Sequence, residues 1–497
     1  MTRSIARPAA SRIVPLAAAI IVSGLFYFFR PDELRDSTYL VAALTIGFGI
    51  APIVAYASNP RTTEFPLFSL TCLYYTAAFC IPAFCYAAIR PGTLNGFIFV
   101  SDETITAACL GIFSLLAGGA LGGTSRSARL VRVTSIVFRP TSESLLACGL
   151  CLGIMQLVWV SSSLRNVPTL FHLANSLGLF SAILMASACY KRSQNSLWRG
   201  LFLFGFVPLH LLTRLATGSM MNALVFIVLL CSVFIFERPN WKRPIVAIAL
   251  LAGIAMPVVM EVRNDFRRRT WSEENVYSFW DRVGMLIEST TQPAENAAPI
   301  PRFERESDRI SVPMARMSGL SLLDKTLDQI PDSVPFLHGR SLEGLLYIWA
   351  PRFLLPNKPT QEWGFEFSYM IGFRGSEDRT TSINVPWLVE FYANFGWTGM
   401  YLGTFLVGLM AVRIENIWRG MNSDEIRSCG LLVLTHDVWY QESNIAVMLG
   451  NKFLIACVIV FFVHFVLRGA GGVSSKSKNP ERLDIRSRGT IAVRSGS

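Results

Sequence analysis

Charge is what this chain has least of. Only 16% of its 497 residues are Asp, Glu, Lys or Arg, against about 25% in soluble proteins, whereas 52% are hydrophobic. The shortfall lies in repeated apolar runs of roughly twenty residues, the length that matches a hydrocarbon core of about 30 Å. An ordinary soluble protein is thereby excluded. Histidine is also scarce, with five in all, and neither HExxH nor paired His/Cys spacing occurs, so no zinc site is expected. The sequence has no GxxxxGK[ST], no GxGxxG beside a strand and no GxSxG elbow with triad partners, which leaves ATP-driven work and serine hydrolysis without support. All ten cysteines lie in or beside apolar runs. Cys148 and Cys151 read as two small packing residues of a membrane helix, and no disulfide framework is expected.

What the chain has instead is a succession of segments expected to span a membrane: 13–29, 38–58, 66–89, 104–122, 144–161, 170–190, 198–216, 219–236, 244–262, 395–412, 428–447 and 451–468. The first follows Arg3, Arg7 and Arg12 but ends without a small-residue cleavage site, so it reads as a retained span rather than a signal peptide. With the N-terminus inside, the basic residues of short loops (Arg126, Arg129, Arg132 and Arg139; Lys191 and Arg192; Arg238, Lys242 and Arg243; Arg413, Arg419 and Arg427) fall on the cytoplasmic side, as does the basic tail. Both termini inside requires an even count. The weakest segment is 428–447, which His436, Asp437 and Glu442 interrupt.

The expected fold is an all-α polytopic membrane protein of about 12 transmembrane helices. Spans 1–9 occupy 1–262, one large outer loop occupies 263–385, spans 10–12 occupy 386–468, and a disordered basic cytoplasmic tail follows at 469–497. The loop holds 15 Arg or Lys and 17 Asp or Glu. Its flanks, 271–289 and 318–331, carry apolar residues at helical spacing and are expected to form short helices against the membrane. The net charge of +11 comes without a basic stripe or RNA-binding signature. Anionic headgroups or a phosphorylated lipid fit it better than nucleic acid does.

The chain is organised around Tyr347–Gly399, where cations stand among prolines, glycines and aromatics before a membrane helix is expected to begin. Arg340, Arg352, Lys358, Arg374 and Arg379 are candidate phosphate ligands, because a guanidinium presents a planar fork of donors to phosphate oxygens. Taken singly, each is as readily a solvated partner of Glu343, Glu362, Glu366, Glu377 or Asp378. Trp387, Glu390 and Asn394 share one helical face, and Glu390 is either a general base or one half of a structural ion pair. His210 and Arg214 stand four residues apart at the outer end of the seventh span, where Arg214 either snorkels or lines a cavity. His436, Asp437 and Glu442 form a second polar cluster.

The run Pro351-Arg352-Phe353-Leu354-Leu355-Pro356-Asn357-Lys358-Pro359, followed by Glu390-Phe391-Tyr392-Ala393-Asn394-Phe395-Gly396-Trp397-Thr398-Gly399, resembles the bacterial O-antigen and exopolysaccharide repeat-unit polymerases, relatives of the O-antigen ligases. One departure is Thr217-Gly218-Ser219-Met220, which lacks an arginine that many relatives carry in such a turn, with Arg214 as the candidate substitute. The resemblance implies a glycosyltransferase of the lipid-carrier-dependent, GT-C-like class in the bacterial inner membrane, with both termini cytoplasmic and the large loop periplasmic. It would extend glycans carried on undecaprenyl pyrophosphate, next to a flippase and a chain-length regulator, with no metal or other cofactor. On this reading Arg352, Lys358, Arg374, Arg379, Arg340 and Arg214 bind pyrophosphate, Glu390 or His436 accepts the hydroxyl proton, and Trp387, Tyr392 and Asn394 meet the acceptor sugar. The competing readings are an O-antigen ligase, a polysaccharide or lipid transporter, and a structural subunit of an envelope complex.

Overall fold

In a computed structural model, the structure describes residues 10–59, 65–85, 100–124, 142–162, 168–192, 196–216, 220–237, 277–291, 318–348, 363–373, 383–420, 443–450 and 452–461, with short pieces between them. The described residues are almost all helical, apart from a small ladder of β1 (Gly92–Thr93) with β2 (Gly96–Phe97). Seven described helical segments are long and apolar enough to cross a membrane, and three shorter apolar helices accompany them. Many outward side chains are apolar as well: Ile20, Val158, Phe204 and Leu402 are more than half exposed. Lipid is the solvent that suits such a surface, and the chain is built as a helical membrane protein.

The first half comprises α1 (Ala10–Phe28), α2 (Asp36–Ser58), α3 (Leu67–Phe79), α4 (Asp102–Thr124), α5 (Ser142–Ser161) and α6 (Pro168–Ser187). The expected span 198–216 is broken into α7 (Ser196–Leu201), a π-helical turn at Phe202–Phe206 and α8 (Val207–Leu215). Pro208 has no N–H to offer the Phe204 carbonyl, which accounts for the widened turn ahead of it. Then comes α9 (Met220–Glu237).

The loop flanks form α10 (Phe279–Thr291) and α11 (Leu320–Gln329). A reciprocal cap starts α10: Ser278 N–H donates to Asp281 Oδ2 at 3.0 Å, and Asp281 N–H donates to Ser278 Oγ at 3.2 Å. The Ser278 hydroxyl holds the Asp281 carboxyl below the usual carboxylate range. Helix α11 buries Leu320, Leu322, Leu323 and Thr326 in the same core as α2, α3 and α4. Asp324 fixes its register by accepting from Ser101 N–H and Oγ, both at 3.0 Å, and from Thr104 Oγ1 at 2.6 Å. This part of the loop is thus packed onto the bundle. Beyond it lie α12 (Gly344–Tyr347), α13 (Trp363–Met370), α14 (Trp387–Gly420), α15 (Ile445–Gly450) and α16 (Lys452–Phe461).

The spine of the molecule is α14 against α4. A Cβ on Gly408 would run into the Leu115 carbonyl and one on Gly118 into the Phe405 carbonyl, so the two backbones touch. Without a hydrophobic driving force between helices in lipid, such close van der Waals approach is what holds them together. At the end away from the loop, Glu415 Oε1 of α14 accepts from Phe68 N–H at 2.8 Å and satisfies an orphan donor in the first turn of α3.

Two further expected spans differ from a plain helix or fall out of view. The segment 244–262 lies outside the described residues except for Val262. The segment 428–447 is not one helix: 432–435 is a single turn, Val438 and Trp439 lie in another turn, and helix resumes at Ile445. Beyond Gly396, α14 descends about 36 Å at 1.5 Å per residue, yet Ile445 is bonded to Glu390 at the upper end. The chain is therefore back at the level of Glu390 by Ile445, and the described pieces on the way, 432–435 and 438–441, do not form one helix. Such backbone is tolerated at membrane depth only where protein surrounds it. Gln441, fully buried, accepts from the Tyr75 hydroxyl and donates Nε2 to the Val438 carbonyl at 3.0 Å.

Candidate functional site

The stretch singled out in the sequence becomes a junction at the head of α14. Gly396 sits inside that helix at φ 64°, ψ −155°, a conformation open to glycine and closed to other residues. The helical hydrogen-bond ladder is interrupted there, which frees the carbonyls just before it. Ala393 O accepts from Leu337 N–H at 3.0 Å, and Asn394 O accepts from His338 N–H at 3.2 Å. The loop turn that supplies those donors is itself bent into the left-handed region, with His338 at φ 48° and Gly339 at φ 92°.

Side chains of the same motif complete the joint. Asn394 Oδ1 accepts from Gly339 N–H at 2.8 Å, while its Nδ2 donates to Ser341 Oγ and to the Glu390 carbonyl, each at 2.8 Å. Ser341 Oγ donates to Glu390 Oε1 at 2.6 Å. Glu390 Oε2 accepts from Ile445 N–H, the first donor of α15, at 2.7 Å. The Tyr392 hydroxyl donates to the Ile330 carbonyl at 3.0 Å, and Gly399 has no room for a Cβ beside Phe395 and the Phe391 carbonyl. Glu390, Tyr392, Asn394 and Gly396 of Glu-x-Tyr-x-Asn-x-Gly-x-x-Gly thus fasten loop and broken segment to the spine, while Gly399 makes room within the helix itself.

This changes how the candidates read. Glu390 is 1% exposed and both its oxygens are occupied, so its geometry is that of a positioning residue; a general base needs hydrogen-bond access to the proton it takes. No ion pair to Glu390 occurs among the described residues; its partners are a hydroxyl and an amide. Trp387, Tyr392 and Asn394, the candidate sugar contacts, are 2%, 3% and 1% exposed and lie in the packed interior. Arg340 reaches Glu366 at 3.9 Å with both side chains more than half exposed, an arrangement of little energetic weight. Arg352, Lys358, Arg374, Arg379 and His436 lie outside the described residues. Arg214 is 2% exposed and does not snorkel: its Nη2 donates to the Asn175 carbonyl at 3.0 Å, and its guanidinium lies 5.1 Å from the Phe226 ring centre. Among the described residues no three His, Cys, Asp or Glu side chains converge as metal ligands.

The sequence reading missed the groove. A half-open, mostly apolar cavity of about 400 Å³ lies between α3 and α9, lined by Leu70, Leu73, Tyr74 and Leu224, floored by Trp439, and roofed by loop residues Ser318, Ser321, Phe373 and Asn384. Its wall is drawn from six separate stretches of chain, and no local spacing announces it. Ser341 and the Ile445 amide were missed for the same reason, since neither belongs to a recognisable pattern.

No curated protein and no solved structure matches this chain. A family model matches residues 93–421, from the hairpin ahead of α4 to the end of α14, and so takes in the spine, the docked loop and the junction motif. With well over half its length matched, the chain belongs to the family described as Domain of unknown function (DUF8712).

Proposed function

We propose that this protein is a membrane glycosyltransferase that extends glycans carried on undecaprenyl pyrophosphate at the periplasmic face of the bacterial inner membrane. The observation that carries the reading is the groove between α3 and α9. Its lining is mostly apolar, with polar groups from Tyr74 on α3 and from the loop residues Ser318, Ser321 and Asn384, which suits a lipid chain with a polar head. Two roof segments bracket the cations: Arg374 follows Phe373 directly, and Arg379 precedes Ile383 by four residues. Chain connectivity keeps the backbone of Arg379 within about 14 Å of that roof, at 3.3–3.6 Å per residue.

Pyrophosphate is a good leaving group, so the protein's contribution is charge stabilisation and orientation. Arg374, Arg379 and Arg214 would neutralise the departing pyrophosphate, with Arg352 and Lys358 in support. The junction motif would hold the loop at a fixed distance from the groove. The polymerase reading includes twelve spans, both termini cytoplasmic, a flippase and a chain-length regulator as neighbours, and no cofactor. The ligase is the second reading within the same class, and the same groove serves it.

The test is purified protein in liposomes supplied with undecaprenyl-pyrophosphate-linked repeat units. Elongated glycan in wild type, lost in Arg374→Ala/Arg379→Ala with normal protein level, is expected. Lipid-linked units that remain unextended with wild-type protein, while a core-lipid acceptor is glycosylated, would select the ligase. Inert units under both conditions would refute glycosyl transfer.

A further inference from the structure

A second polar site lies deeper in the bundle, away from the junction. Gln156 of α5 is 1% exposed and His210 of α8 is fully buried, and neither the Gln156 amide nor either His210 ring nitrogen has a hydrogen-bond partner among the described residues. Buried polar groups are rarely left this way, and a pair of them inside a membrane bundle calls for an explanation.

Their relative position follows from the packing. Helices α5 and α8 run alongside each other: Gly153 meets the Phe206 ring, and further along Val160 packs with Ala216. Gln156 and His210 lie between these two contacts on their respective helices. On α6, Gly178 touches the Gln156 carboxamide, and Asn175, one turn away, accepts from Arg214. Arg214 is four residues beyond His210 on the same helix. The three side chains therefore share one level within about a helical turn, with the π-helical turn at Phe202–Phe206 directly before them. His210 is held flat by stacking on Phe206, ring centres 4.0 Å apart.

These side chains also lie close to residues of the groove. Trp439 lines the groove, and the next residue, Tyr440, stands near Arg214. Leu224 lines the groove, and Phe226, two residues along α9, lies beneath the guanidinium. On the loop side, Phe279 and Val283 of α10 close over Val160 and Ala216.

A guanidinium, an imidazole and a carboxamide together form a donor set for an oxyanion, with no carboxylate facing it among these contacts. We propose that Gln156 and His210 complete with Arg214 a buried phosphate-binding pocket, which takes the phosphate group of a prenyl phosphate lying in the nearby groove. This deepens the lipid-carrier reading and rests on it for the identity of the ligand.

The experiment uses the full chain in detergent micelles, with geranyl pyrophosphate, inorganic pyrophosphate and geraniol as probes, and reads both binding and unfolding temperature. Geranyl pyrophosphate is expected to bind and raise the unfolding temperature, whereas geraniol does neither. Gln156→Leu and His210→Phe each should weaken binding at least tenfold without lowering the unfolding temperature of the unliganded protein, because an unpartnered polar group is being replaced by an apolar one of similar shape. Gln156→Glu should abolish binding through repulsion of the anion. Tighter binding of geranyl pyrophosphate than of inorganic pyrophosphate supports a lipid headgroup as occupant, and equal binding supports a free anion in the same pocket. The proposal is overturned if neither phosphate-bearing probe binds the wild type, if the variants keep its affinity, or if they lose stability before ligand is added. Binding is read without sugar transfer, so a failure of glycan elongation would refute the polymerase reading and leave this result intact.

Discussion

The sharpest test of the junction is Glu390. If it is a positioning residue, its removal is felt first in folding. Glu390→Ala orphans the Ser341 hydroxyl and the Ile445 N–H, which are held at 2.6 and 2.7 Å in the native protein. At about 1–3 kcal/mol for each orphaned group, plus the truncation cavity, the loss is roughly 3–5 kcal/mol. Glu390→Gln is milder. One amide oxygen can still accept from Ile445, and Ser341 Oγ has a lone pair left for the new N–H. Replacing charge-assisted bonds with neutral ones then costs about 1–2 kcal/mol. Ser341→Ala should be partly redundant with either change, with a coupling of at least about 1 kcal/mol in a double-mutant cycle. The assay is reversible unfolding in mixed micelles, beside glycan elongation per folded protein. A base would behave in the opposite way, with unfolding unchanged within about 0.5 kcal/mol and elongation reduced roughly 10²–10⁴-fold in Glu390→Gln. That pattern would refute the positioning role.

Two further outcomes are expected. Gly408→Leu should separate α14 from α4 at the Leu115 carbonyl, lowering folded protein in membranes severely, whereas Gly123→Leu, where a Cβ meets nothing within 4 Å, should be tolerated; comparable yields from the two would contradict the spine. The Ser278–Asp281 cap should make the start of α10 sensitive to acid. The folded carboxyl lies below its ordinary value, so its contribution is present above that value and disappears as pH falls through the lowered one. Exchange protection of amides 279–282 should drop in that acidic window in wild type and be lower, with no such pH step, in Asp281→Asn. Unchanged protection across the window would remove the cap from consideration.

Hydrophobic length made the membrane class and most of the helices legible, because a run of apolar residues carries its own meaning wherever it packs. The amphipathic flanks of the loop were legible too, and they appear as α10 and α11. The break in 428–447 was visible as a polar interruption, but not the buried path it takes, since Gln441 finds Tyr75 across more than three hundred residues of chain. The motif at 390–399 was seen and its face assigned, while its partners were not. A carboxylate that accepts from a backbone amide 55 residues away looks the same in sequence as one waiting for a substrate. Gln156 is a lone amide in an apolar span, and nothing in its sequence neighbourhood says that its carboxamide lacks a partner.

The break at Gly396 also sets an order of events in synthesis. Leu337, His338 and Gly339 leave the ribosome well before the carbonyls and side chain that will receive them at 393 and 394. Glu390 in turn waits for Ile445 before its second oxygen is filled. The turn can therefore reach its final shape only after the helix that follows it has been inserted and the next stretch has come back up beside it. In time, the loop is made in the middle of the chain and finished near its end.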